Sequence, residues 1–142
     1  MDHVPLAPIH PDAVERLLDR AFGPDRRART AYKVRGGAAP LPHLSFAVVD
    51  DGALVGTVQC WPVALRADGG AAHPLVMVGP VAVDPDRQQS GIGRALMARA
   101  LAEAEATGEA AALTLIGDPE YYGRFFGFTA ERTALWRLPG PV

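Results

Sequence analysis

The first clear periodicity in the chain is helical. In PDAVERLLDRAF, Val14, Leu17, Leu18, Ala21 and Phe22 fall on one side while Glu15, Arg16, Asp19 and Arg20 fall on the other, which predicts an amphipathic helix closed by Gly23-Pro24. A weaker helix is predicted over Asp25 to Val34, ahead of Gly36-Gly37 and the loop APLPH. The pattern then changes to two β-rich runs, SFAVVD and ALVGTVQCW. They are joined by Asp51-Gly52, a dipeptide suited to the positive φ angles of a hairpin turn, so an antiparallel pair is expected. A third run, PLVMVGPVAV, is interrupted by Gly79-Pro80. Proline has no N–H for a sheet ladder, and the interruption predicts a bulge or a place where pairing opens to a ligand.

After DPDRQQSGIG the helical period returns in RALMARALAEAEATG. Leu96, Met97, Ala100, Leu101 and Ala104 share a face, Arg99 and Glu103 can pair opposite, and Gly108 is a natural stop. AALTLI reads as a short strand, so residues 75 to 116 run strand, glycine turn, helix, parallel strand. The aromatic stretch YYGRFFGF and a last predicted strand, RTALWRL, complete the chain. At 142 residues this is one α/β domain with a mixed sheet and room for one cleft.

Composition narrows the chemistry. A net charge of -2 provides no basic footprint for nucleic acid, and Lys33 is the one lysine among fourteen basic residues. Cys60 is the single cysteine, which rules out an internal disulfide and a multi-cysteine metal site; it lies in a strand-like run and is expected in the core. His3, His10, His43 and His73 are scattered without ligand spacing, so no metal is expected. The N-terminus lacks a signal-peptide pattern and no run reaches the length of a membrane span, so the reading is cytoplasmic and without a membrane partner.

Gln88, Gln89, Ser90, Gly91, Ile92 and Gly93 sit where a strand ends and a helix begins. The N–H groups of a helix's first turn have no intrahelical acceptor and carry partial positive charge, so this junction suits an anion, above all a phosphate. Gly91 and Gly93 allow close approach, while Arg87 and Arg94 add charge at the rim. A dinucleotide fold would want a small residue at Leu96 and an acidic residue earlier than Asp118, and it usually begins with its glycine motif; it ranks third among the readings.

Gln88-x-x-Gly91-x-Gly93, preceded by VAVDP and followed by RALM, resembles the (Q/R)xxGx(G/A) pyrophosphate motif of the GNAT superfamily of N-acetyltransferases. SFAVVDDGALVGTVQCWPV and GDPEYYGRFFGF look like the branch of predicted small N-acetyltransferases within it. The resemblance spans most of the chain. It implies a GNAT-like domain over residues 1–142 with splayed central strands and helices on both faces. It also implies acetyl-CoA as acetyl donor, its pyrophosphate on backbone N–H groups from Gln88 to Arg94 and its pantetheine arm paired with Val81, Ala82 and Val83 as an added strand. Gln89 and Ser90 depart from the family's commoner glycine and basic residue. Ser90 is expected to cap the helix or meet a phosphate.

The resemblance further implies that Tyr122 serves as general acid for the departing thiolate; the alternative is a core tyrosine with a satisfied hydroxyl. A doubled phenylalanine after it admits two outcomes. Phe126 is expected to join the turn after the helix, with Tyr122 keeping its place, since Gly123 and the short helix leave slack; otherwise the helix rotates by about 100° and re-aims Tyr122. Tyr121, Phe125 and Phe128 are expected to be the packing rings. No carboxylate on the strand at 75 to 83 suggests a base; Glu120 and His73 read as surface, so a water relay is expected. The acceptor pocket is expected to form from the first helix, Trp61 and the start of the strand at 75.

The resulting reading is an N-acetyltransferase acting on a primary amine, either a small molecule or a peptide N-terminus. Its rival is a CoA-binding sensor or scaffold without catalysis. The family's final strand has no counterpart here beyond RTALWRL, which leaves an edge for another chain and makes a homodimer conceivable.

Overall fold

In the computed structural model, which describes residues 1–116, 119–130, 133 and 136, an edge strand at Asp2–Pro5 (β1) starts a sheet that the pattern of apolar residues does not announce. It pairs antiparallel with β2 (Phe46–Asp50), from Asp2 opposite Val49 to Pro5 opposite Phe46. Proline at its end is tolerated because a partner lies on one side alone. The sheet continues through β3 (Ala53–Arg66), β4 (Ala72–Val83) and β5 (Leu113–Thr114) in sequence order. The side chains of Thr30, Gln89 and Pro119 lie outside the description, as does nearly all of the predicted strand RTALWRL.

The long hairpin of β3 and β4 is the backbone of the sheet. Its turn is tight, with Ala67 N–H bonded to Ala71 O at 2.8 Å, and pairs such as Val63 with Leu75 extend β3 beyond Trp61. Cross-strand pairing carries this extension through residues whose own pattern is weak. Val58 faces Val81 and Cys60 faces Val78, so Gly79 and Pro80 together oppose Gln59. This is the predicted bulge. β5 pairs parallel with β4 through Val76 with Leu113 and Met77 with Thr114, and then stops. It is shorter than AALTLI because Ala110–Ala112 form a 3-10 turn, alanine having little preference for strands. From Val78 to Val83 the β5-facing edge of β4 therefore has no strand partner among the described residues.

Helices cover both faces. On one, α1 (Pro11–Phe22) buries Val14, Leu17 and Leu18 against Ala47 and Ala82. The predicted second helix is split into a 3-10 turn at Arg26–Ala28 and α2 (Thr30–Arg35). On the other face, α3 (Ile92–Ala106) buries Ile92, Leu96, Met97, Ala100 and Ala104 against Val48, Val58 and Cys60. Finally, α4 (Pro119–Phe126) lies beyond β5.

Candidate active site

The loop from β4 to α3 is built as a 3-10 turn over Pro85–Ser90. Asp84 begins it, accepting the Asp86 N–H at 3.0 Å, and is itself held by Arg20 of α1 at 2.9 Å. The Asp86 N–H first, and then the Arg20 guanidinium against the opposing effect of burial, hold the Asp84 carboxyl below the usual carboxylate range. Gly91 then adopts φ 78°, a left-handed conformation, and stands at the N-cap of α3. Nothing lies within 4 Å of where its Cβ would be, so the space above the helix start is open. Gly93 differs. Its Cβ position is 3.4 Å from Val83 Cγ2, close against β4.

A cavity of about 580 Å³ opens here, lined by Val81, Val83, Gln88, Gly91, Gly93, Arg94 and Tyr122. Seven of the predicted site residues thus share one cleft. The remaining predicted residues contribute differently. Ala82 faces the α1 layer and is fully buried, and Ile92 is buried beneath α3. The Ser90 hydroxyl donates to Arg87 O, so it does not cap α3 as expected; Gly91 holds that place. Gln89 lies in the 3-10 turn. Of the two rim arginines, Arg87 is paired with Asp50, while Arg94 lines the cavity with its guanidinium 3.9 Å from the Phe125 ring centroid.

The aromatic stretch divides in a way the sequence reading had largely reversed. Tyr122, Phe126 and Phe128 pack against the core, whereas Tyr121 and Phe125 are exposed, at 37% and 41%. The helical face shared by Tyr121 and Phe125 is turned away from the core because α4 meets the core through Tyr122 and Phe126. Contrary to expectation, the doubled phenylalanine is accommodated inside the helix and not in the turn after it: Phe126 is the last helical residue, and Gly127, at φ 76°, ends the helix with an N–H bond to Gly123 O at 3.1 Å. The Phe128 N–H reaches back to Tyr122 O at 3.3 Å, tying the turn to the backbone of Tyr122. Burial, with the neighbouring Tyr121 second, pushes the Tyr122 hydroxyl above its ordinary pKa.

Tyr122 also lines a second cavity, of about 430 Å³, on the far side of the β4 bulge. Val81, Met97 and Phe22 are shared between the two cavities, so the bulge and Tyr122 stand at their junction. The second cavity draws on the end of α1, the 3-10 turn, α2, and Met77 to Val81 of β4. Trp61 is not one of its walls. Trp61 is 5% exposed, donates from Nε1 to Gly79 O at 2.7 Å, and so braces the bulge from behind. Sequence reasoning missed Arg26, Arg29 and Tyr32 in this wall; the density of basic residues in DRRARTAYKVR was the signal available. His73 and Glu120 line neither cavity. Among the described residues no group of three or more His, Cys, Asp or Glu side chains could hold a metal, and no helix is long and apolar enough to cross a membrane.

The chain matches the acetyltransferase (GNAT) domain family over residues 8–130. It is 32% identical over 134 residues to the uncharacterized N-acetyltransferase YhbS of Escherichia coli K12, covering 94% of this chain and 77% of that protein. A GNAT family acetyltransferase from Brucella melitensis, solved in complex with acetyl-CoA, superposes with a TM-score of 0.62 at 30% identity, over 88% of this chain and 80% of that one. The aminoglycoside N-acetyltransferase AAC(6')-Iy, solved with CoA, has the same fold at 18% identity and a TM-score of 0.62, over 98% of this chain and 95% of that one. The glycine turn at a helix start, the β4 edge left open where β5 stops and the domain match from residue 8 to residue 130 place this chain in the GNAT family of acetyltransferases.

Proposed function

We propose that the protein transfers the acetyl group of acetyl-CoA to a primary amine by direct attack, with Tyr122 as general acid. The observation that carries this reading is the junction of the two cavities at Tyr122 and the β4 bulge. In this reading the first cavity holds the donor. The free first-turn N–H groups of α3 and the Arg94 side chain hold the pyrophosphate, and the unpaired edge of β4 from Val81 to Val83 accepts the pantetheine amides. The second cavity holds the acceptor.

The amine nitrogen attacks the thioester carbonyl, a C–N bond forms and the C–S bond breaks. The departing thiolate takes the proton of the Tyr122 hydroxyl, and the new ammonium gives its proton to water, which restores the tyrosine through solvent. A phenol near pKa 10, raised further here, is protonated at neutral pH and can donate to a thiolate of ordinary basicity. The described lining of the acceptor cavity contains no carboxylate to act as base, which supports the water relay. A cytoplasmic setting belongs to the same reading.

Titration calorimetry with acetyl-CoA, CoA and NAD, together with thiol release in a panel of amines, tests the proposal. Binding of acetyl-CoA and CoA without NAD, and thiol release that depends on the amine, are the expected results. CoA binding with no thiol release under any amine would instead make the protein a CoA-binding module.

A further inference from the structure

The wall of the acceptor cavity formed by the segment after α1 is strongly basic. Residues 25 to 35 carry Arg26, Arg27, Arg29, Lys33 and Arg35 against a single acidic residue, Asp25. These cations are not equivalent. Arg26 is buried and committed, donating from Nε to Asp19 at 2.9 Å and from its terminal nitrogens to Glu15 and Tyr32. Arg27 is paired with Glu15 at 2.9 Å. Arg29 lines the cavity and makes no ion pair among the described residues; its one hydrogen bond there is a long one, 3.4 Å, to Phe22 O.

Tyr32 points the same way. Its hydroxyl oxygen accepts from Arg26, so its own proton is left to donate, and it lines the same cavity. A guanidinium without a carboxylate and a phenol polarised by a buried cation thus share a cavity whose described lining has no anionic side chain. Such a set recognises an anion and repels a polycation.

We propose, on the footing of the acetyl-transfer reading above, that the acceptor is a small primary amine that also bears an anionic group, a carboxylate or a phosphate. The anion is held by Arg29 and the Tyr32 hydroxyl, and the amine is thereby directed towards Tyr122, which lines the same cavity. A volume of about 430 Å³ suits a molecule of amino-acid size.

Matched probes test this. Phenethylamine is compared with phenylalanine, ethanolamine with phosphoethanolamine, and cadaverine with lysine, as ligands of the protein saturated with CoA by calorimetry and as acceptors by thiol release with acetyl-CoA. At least one anionic member should bind about tenfold or more tightly than its partner, the worth of a charge-assisted hydrogen bond. The carboxylate and phosphate arms decide which anion is preferred. In Arg29→Gln and Tyr32→Phe the ratio within the pair should collapse towards one, and Arg29→Lys should restore part of it, while acetyl-CoA affinity stays at the wild-type value. Anionic members that bind no tighter than their partners overturn the proposal, and so does a preference that survives Arg29→Gln. Both outcomes leave acetyl-CoA binding intact; loss of that binding in the wild-type protein would remove the acetyl-transfer reading itself and this proposal with it.

Discussion

Gly56 of β3 lies directly beneath Ile92, the first residue of α3: a methyl group built on Gly56 would stand 2.6 Å from Ile92 Cγ2 and 3.0 Å from Leu96 Cδ1. The start of the helix that frames the proposed phosphate site is therefore seated on the sheet through a position with no side chain. Gly56→Ala forces the helix start outward or the two side chains off their rotamers, at about 1–3 kcal/mol of stability. Thermal unfolding should show that loss. Acetyl-CoA affinity should fall as well, because the same displacement moves Gly91 and Gly93. A variant as stable as the wild type would show that α3 adjusts without strain.

Tyr122→Phe removes the proposed proton donor and leaves the ring that packs against the core. Its kcat should fall by about a hundredfold, within the usual range for general acid catalysis, with acetyl-CoA affinity unchanged. The pH profile carries a second sign. An acid must be protonated to act, and burial raises the pKa of Tyr122, so the wild-type rate should hold on the alkaline side past about pH 10 before declining. A Tyr122→Phe protein that matches wild type on an accepted amine would remove Tyr122 from the mechanism.

Cys60 couples stability to high pH. Its thiol is 1% exposed, and burial, with Glu109 second, pushes its pKa from 9.0 up to about 12. Between those values the unfolded chain has lost the proton that the folded chain keeps, so the folded state binds more protons and stability falls as pH rises. The slope is up to about 1.4 kcal/mol per pH unit in that window. Urea midpoints at pH 8 and pH 10 should separate in the wild type and draw together in Cys60→Ala, whatever the cavity costs at both.

Arg20 and Asp84 clasp α1 to the turn before α3, at 2.9 Å. Asp84 is stabilised in its ionised form, so its contribution is present above the ordinary carboxylate range and is lost as pH falls through its lowered folded pKa. Asp84→Asn keeps an acceptor for the Asp86 N–H but loses the charge. Amide protection over Pro85–Ser90, taken relative to the intrinsic exchange rate at each pH, should fall in this variant and be insensitive to acid over the range where the wild type responds. Equal exchange in both proteins would show that the 3-10 turn does not depend on the clasp.

Periodicity and turn chemistry alone are enough to expect the order of the main elements, the hairpin at Asp51-Gly52, the bulge at Gly79-Pro80 and the glycine turn at the head of α3, because each is decided within a few residues by local sterics and hydrogen bonding. The short edge strand Asp2–Pro5 escaped that reasoning, since four residues with two charged or polar side chains become a strand when β2 offers its edge. The orientation of YYGRFFGF escaped it too. An eight-residue helix presents aromatic rings on several sides, and which of them meets the core depends on where β5 and α3 stand, a relationship between segments far apart in the chain. In the same way Trp61 became a brace rather than a pocket wall, and Arg29 and Tyr32 became cavity residues, once the hairpin and α2 were folded against each other. The amino-acid sequence was enough for the family and for the glycine turn, where strand, glycine and helix follow one another directly; the lining of the second cavity had to wait for the folded chain, because that wall is assembled from α1, α2, β4 and α4, which no local pattern brings together.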